Sequence, residues 1–312
     1  RMSFTAEVKQ ETAHKVFTKN DERAELSALI QMTSFLSLSS LGMTLAVKIE
    51  NPTIAKVIYR IVKQRYGVDV DLSVKRKMNL KKNKIYCLRI LSHAKEILQD
   101  LGIYSARGLL DRPLQAIVQK DSAARAYLAG AFMASGSVNA PQKPNYHLEI
   151  KAMNENHAQF LIQLMERFDI HARCIERRNR PIVYIKSAEK IADFLKCIDA
   201  NESMLSFENI RIERDYTNSL TRVINVEVAN EMKTQQAAAK QLADIEIVEK
   251  ADRMQYQNER IQEAALLRKE NPEASLIELC YLAEKRSGTP VSKSGMKHRF
   301  VKIHELAEKE RA

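Results

Sequence analysis

The side chains best suited to chemistry in this sequence are cations, and they cluster. Lys75, Arg76, Lys77, Lys81, Lys82 and Lys84 all lie within KRKMNLKKNK. Arg177, Arg178 and Arg180 recur at an offset of about 102 residues, with Arg173 nearby. A further group, Lys293, Lys297, Arg299 and Lys302, sits with Ser292, Ser294 and His298 in a stretch from Val291 to His304 that holds no acidic residue. Ammonium and guanidinium groups bind phosphate oxygens, and the guanidinium fork also matches guanine edges. The whole chain leans the same way. Its 50 Lys and Arg against 39 Asp and Glu give a net charge of +11 at pH 7. A balance of this size favours a polyanionic partner, either nucleic acid or an acidic membrane face.

Other chemistries find little support. Cys87, Cys174, Cys197 and Cys280 form no C-x-x-C pair and lie in apolar stretches, so they are expected to be free thiols in a reducing compartment. The seven histidines show no H-E-x-x-H or other metal-ligand spacing. Trp is absent and aromatic residues make up 6%, which disfavours a platform of stacked rings for single strands. Gly288 to Gly295 is not a P-loop, because Met296 rather than lysine follows the second glycine. No apolar run nears the roughly 20 residues that span a bilayer, and the opening RMSFTAEVKQE is too polar for a secretory signal. These features predict a cytoplasmic protein with no metal or other cofactor.

The elements that must carry the cations arise from a repeat. The chain's 312 residues suffice for about two domains, with 45% hydrophobic residues to fill their cores. ELSALIQMTS (Glu25–Ser34) and YLAGAFMASG (Tyr127–Gly136) align at an offset of 102 residues. Leu26, Leu29, Ile30 and Thr33 have the i, i+3, i+4, i+7 spacing of one helix face, as do Leu128, Ala131, Phe132 and Ser135. The small pairs Ser27-Ala28 and Ala129-Gly130 would let two helix backbones approach closely. Matching segments follow. GMTLAVKIE and NYHLEIKAM alternate like strands. NPTIAKVIYRIVKQRYG and NENHAQFLIQLMERFD read as amphipathic helices capped by Asn51 and Asn154. VDVDLSV with IYCLRIL, and IHARCIE with PIVYIKS, read as hairpins, and SHAKEILQDLG and SAEKIADFLKCI close the units as helices. The unit is α-β-β-α-β-β-α, occurring twice over about 22–105 and 121–200 within an α+β domain of residues 1–218. The first two basic clusters then fall on equivalent hairpin turns. There they would line one concave sheet face and follow the phosphates of a duplex.

Ser219–Met254, with its helix-favouring KTQQAAAKQL, reads as a helical linker over 219–257. Residues 258–312 form an all-α unit. NERIQEAALLRKENP is a helix stopped near Asn271-Pro272. Ser275 caps the next, whose Leu276, Leu279, Cys280 and Ala283 face inward, and Gly288 suits its C-cap. Ser292 caps the last, with Met296, Phe300, Ile303 and Ala307 as its core face and the basic cluster largely off it. Two helices joined by a short turn, the second polar and basic at its start, fit a helix-turn-helix that enters the major groove. Ser292, Lys293, Ser294, Lys297, His298, Arg299 and Lys302 are therefore candidate DNA contacts. Lys75, Arg76, Lys77, Lys81, Lys82, Lys84, Arg177, Arg178 and Arg180 are secondary ones.

YLAGAFMASG resembles the LAGLIDADG helix of homing endonucleases, and ELSALIQMTS is a weaker copy of it. The resemblance implies two such helices packed at a pseudo-twofold axis beneath a saddle of strands that sits on DNA. In that family an acidic residue at the eighth motif position binds a divalent metal that supports phosphodiester cleavage. With Leu26 and Leu128 as first positions, the eighth are Thr33 and Ser135, and the motif's other acid is replaced by Gln31 and Met133. A hydroxyl does not replace a carboxylate toward a hard cation, so Thr33 and Ser135 are expected to be lost metal-ligand positions. The degenerate repeat, the helical linker, S-K-S-G-x-x-H-R (Ser292–Arg299) and the opening S-F-T-x-E-V-K-x-E (Ser3–Glu11) together resemble the WhiA family. These are transcription regulators of Gram-positive bacteria associated with sporulation and cell division. The resemblance implies a nucleoid-associated, non-enzymatic protein that binds double-stranded DNA at promoter regions, chiefly through the C-terminal domain. It also implies a protein partner, either another transcription regulator or RNA polymerase, and no membrane. The alternatives are a LAGLIDADG endonuclease that uses other carboxylates, or an RNA-binding maturase-like protein.

Overall fold

The computed structural model describes residues 2–40, 42–76 and 84–311. They divide into two compact units, one ending at Asp215 and the other beginning at Tyr216. The opening motif becomes a helix, α1 (Phe4–His14), whose N-cap Ser3 accepts from the Ala6 N–H. Phe4 stacks on Phe207, Thr5 exchanges two hydrogen bonds with the Val138 backbone, and Val8 is fully buried.

Two copies of one unit follow. The first comprises α2 (Lys19–Thr33), β1 (Ser34–Ser39), β2 (Gly42–Ile49), α3 (Pro52–Tyr66), β3 (Val70–Arg76), β4 (Lys84–Ile90) and α4 (Ala94–Asp100). A small hairpin, β5 (Tyr104–Ser105) and β6 (Gly108–Leu109), connects the copies. The second comprises α5 (Asp121–Ser135), β7 (Gly136–Val138), β8 (Leu148–Lys151), α6 (Glu155–Glu166), β9 (Arg173–Arg177), β10 (Arg180–Ile185) and α7 (Ala188–Cys197). The antiparallel sheets have the same order, β1-β2-β4-β3 and β7-β8-β10-β9, so the αββαββα duplication read from the sequence is the fold. The Asn51 and Asn154 side chains cap α3 and α6 as their spacing predicts. Gly67 ends α3 with a φ of 64°, the left-handed conformation that glycine adopts without a Cβ penalty.

The apolar stripes of α3 and α6 cover the inner faces of the two sheets, giving each copy its own core. The cores interlock through α2 and α5. Ala24 and Ala28 of α2 join the second core, while Met133 of α5 joins the first. Small residues permit this crossing. A Cβ added at Gly130 would collide with the Glu25 carbonyl oxygen and come within 3.0 Å of the Ala28 Cβ.

The helix expected over Ser219–Met254 starts earlier, because nothing in the sequence stops it. With no Gly or Pro in between, α8 runs from Asn201 to Lys250. The Glu11 carboxylate caps its start by accepting from the Glu202 and Ser203 N–H groups. In the second unit, Ala238, Ile245 and Val248 of α8 are buried beside α9 (Glu259–Glu270), α10 (Leu276–Ser287) and α11 (Lys293–Arg311). Arg268 of α9 is buried at their junction. It donates to Gln241 of α8 and to the carbonyls of Asn271, Pro272 and Ala274, and its guanidinium lies 5.6 Å from the Phe300 ring centre. No helix among the described residues is long and apolar enough to cross a membrane.

Candidate nucleic-acid interface

The start of α11 is built locally. Ser275 and Glu278 form a reciprocal capping box at α10, and Gly288 ends that helix with a φ of 70°. Thr289, Pro290 and half-buried Val291 make the turn, and the Ser292 hydroxyl accepts from the Gly295 N–H at 3.0 Å. Met296, Phe300, Ile303 and Ala307 are all buried, as their spacing predicts. Their burial turns Ser292, Lys293, Ser294, Lys297, His298 and Lys302 to solvent. The first turn holds no acidic residue, so the positive end of the helix dipole faces outward uncompensated by carboxylates on α11. Arg299 stands apart. Its position flanks the core face, only 14% of its side chain is exposed, and it is ion-paired at 3.2 Å to Glu263 of α9. Lys302 leans on Glu305 at 2.8 Å in an exposed pair.

The hairpin cations also lie in solvent. Arg178 and Asn179 have φ values of 54° and 57° between the paired residues Arg177 and Arg180. Positive φ at both central residues marks a two-residue hairpin turn that matches the strand twist. It leaves Arg177, Arg178 and Arg180 exposed, with Arg177 3.6 Å from Glu149. At the other tip Arg76 pairs with Lys84, and both are exposed, as is Lys75. Lys77, Lys81 and Lys82 lie outside the described residues.

The ends of α2 and α5 show what became of the acidic motif positions. The Thr33 hydroxyl donates to the Leu29 carbonyl at 2.6 Å, and the Ser135 hydroxyl to the Lys151 carbonyl at 2.8 Å. The Gln31 amide donates to the carbonyls of Leu110 and Asp111, at 3.3 and 3.2 Å. Its oxygen accepts from Tyr127 at 3.1 Å. The Tyr127 hydroxyl also meets His157 Nε2 at 2.9 Å, and His157 Nδ1 accepts from the Met153 N–H at 3.2 Å. Burial lowers His157 to about 4, so it stays neutral in this network. Met133 is buried. These neutral, already bonded groups, with no carboxylate among them, do not fit a hard divalent cation, whose protein sites are built around carboxylates. Among the described residues no group of three or more His, Cys, Asp or Glu is arranged to hold a metal ion. Glu25 is buried at the α2–α5 crossing, and among the described residues its carboxyl has no hydrogen-bond partner. Desolvation pushes it up to about 8, so it is held as a neutral acid. The four cysteines are free, three buried and Cys174 half-buried.

Paired αββαββα units crossing at small residues, with both acidic motif positions lost, make the first unit a degenerate LAGLIDADG-like domain; a helix-turn-helix domain follows it. Three family models cover most of the chain. They are the WhiA N-terminal LAGLIDADG-like domain over residues 19–104, the WhiA LAGLIDADG-like domain over 124–217, and the WhiA C-terminal HTH domain over 220–307. The chain belongs to the WhiA family. It is 43% identical over 308 residues to the probable cell division protein WhiA of Staphylococcus aureus strain JH9, covering 99% of this chain and 97% of that one. The strain Newman protein matches to the same extent. Full-length WhiA from Thermotoga maritima shares the fold across 99% of both chains, at 23% identity and a TM-score of 0.60.

Proposed function

We propose that the protein is a sequence-specific, double-stranded DNA-binding transcription regulator of the cell-division and sporulation type, and that it binds without cutting. The observation that carries this reading is the solvent face of α11, where Ser292, Lys293, Ser294, Lys297, His298 and Lys302 are exposed opposite a buried core stripe. Serine hydroxyls and the helix N-terminus suit phosphate, while lysine also reaches guanine edges. Half-buried Arg299 positions α11 through its ion pair with Glu263. The two sheets carry Lys75, Arg76, Lys84, Arg177, Arg178 and Arg180 as a secondary, sequence-independent contact. The protein is then a nucleoid-bound cytoplasmic regulator at promoter regions, where it meets another regulator or RNA polymerase. The loss of acids at positions 33 and 135 favours binding over cleavage.

The test is to incubate the protein with sheared genomic DNA and Mg²⁺, then sequence both the retained fragments and their ends. Promoter fragments sharing a short motif, with random ends, are expected. If about four cations neutralise phosphates, log K should fall with log salt at a slope of about −3.6. Recurrent new ends at one sequence would identify a nuclease instead.

A further inference from the structure

The two lost metal-ligand positions share a neighbour of opposite charge to the one a nuclease needs. In the first sheet Ser34 pairs with Val47, and in the second Gly136 pairs with Ile150. The ladders end there, and the next residue on each inner strand, Lys48 or Lys151, sits beside the end of α2 or α5. The 2.8 Å bond from the Ser135 hydroxyl to the Lys151 carbonyl fits this register. Val47 and Ile150 are buried, so strand alternation turns Lys48 and Lys151 to the outer face, and both are exposed.

A third lysine comes from outside the repeat. Thr5 ties α1 to Val138 of β7, and this places Lys9, one turn on, over the last turn of α5. Lys9 Nζ lies 5.9 Å from the Phe132 ring centre. The ammonium is half-buried and near enough to Lys151 for the two to repel. Burial first, and Lys151 second, lower Lys9 to about 8. Among the described residues neither Lys9 nor Lys151 is ion-paired with a carboxylate. Two cations held together without a counter-ion at the surface of a sheet form an incomplete site, and an oxyanion completes it.

We propose that Lys9 and Lys151 form a binding site for one backbone phosphate of duplex DNA at the end of α5, with Lys48 as its single-lysine counterpart at the end of α2. Where a nuclease bridges carboxylates to phosphate through a metal, this chain meets the phosphate directly with ammonium groups. The proposal rests on the reading of the chain as a DNA-binding regulator. It adds a metal-independent contact at the centre of the first unit and gives the lysine of the opening motif a function.

The test uses the full chain in EDTA, with its promoter duplex and an unrelated duplex, across a salt series. K9A/K151A is expected to lose about tenfold in affinity on both duplexes and to flatten the log K against log salt slope by about 0.9. K48A should flatten it by about 0.9. K9R/K151R should restore the slope, because the charges remain. An unchanged slope in K9A/K151A, with the unsubstituted chain binding normally, overturns the lysine site and leaves the regulator reading intact. A lowered melting temperature with an unchanged slope also overturns it, since the lysines would then only complement the C-terminal end of the α5 dipole. If the unsubstituted chain retains no duplex at any salt, both readings fall together.

Discussion

Arg299 Nη1 lies 3.2 Å from the Glu263 carboxylate, and both side chains are more than four-fifths shielded from solvent. A cation in the middle of the basic segment is thus committed to holding α11 against α9. Arg299→Ala should cost about 1–2 kcal/mol of stability, and Glu263→Gln should cost a similar amount. Lys297→Ala, on the exposed face, should leave the denaturation midpoint unchanged and weaken specific DNA binding about tenfold. Denaturant titrations and binding isotherms on the same preparations separate the two effects. Equal stability losses at 297 and 299 would contradict the assignment.

Glu25 makes stability depend on pH in an unusual direction. Its carboxyl is buried without a hydrogen-bond partner among the described residues, and the charges of Arg60 and Glu22 act on it. Its folded pKa of about 8 lies above the ordinary 4.5, so the native state binds the proton more tightly than the unfolded chain does. The contribution is complete below the ordinary value and is lost as pH rises through about 8. Across that window stability should fall by about 1.4 kcal/mol per pH unit from this group alone. Glu25→Gln should flatten the curve between pH 5 and 8. Parallel urea-denaturation curves for the two proteins would show that Glu25 is not the group responsible.

Arg268 joins α8, α9 and α11 through one guanidinium. Arg268→Ala would remove the guanidinium that Gln241 and the carbonyls of Asn271, Pro272 and Ala274 accept from, and should cost about 3–5 kcal/mol. Lysine has a single ammonium rather than a planar fork, so Arg268→Lys should recover less than half of the loss. Circular dichroism melts of the full chain should show the transition of the second unit moving down. Full recovery with lysine would mean that charge, and not the fork, matters there.

Ser135→Ala removes only the bond to the Lys151 carbonyl. It should lower stability by about 1 kcal/mol while leaving DNA affinity unchanged. Plasmid nicking by the unsubstituted chain that disappears in the alanine variant would assign Ser135 a catalytic role.

Much of this architecture was legible from spacing. The face of Leu26, Leu29 and Ile30 and that of Leu128, Ala131 and Phe132 are buried as their periodicity requires. The same holds for Met296, Phe300, Ile303 and Ala307, because a helix places residues three and four apart on one side. Asn51, Asn154, Ser275 and Ser292 cap the helices they precede, since capping is a bond within a few residues of chain. The lost acids at 33 and 135 needed only the motif register.

Four facts were settled by tertiary structure alone. Arg299 turns to Glu263 from 36 residues away. Glu25 loses its solvent because Gly130, on the other repeat, allows the helices to close over it. Lys9 reaches the end of α5 because Thr5 bonds to Val138, 133 residues further on. The α8 start at Asn201 is capped by Glu11 from the opposite end of the domain. Local periodicity determines which face of an element is apolar, through interactions a few residues apart. Which charge meets which, and which acid is sealed from water, depends on contacts between segments distant in the chain, and these exist only once the cores have closed.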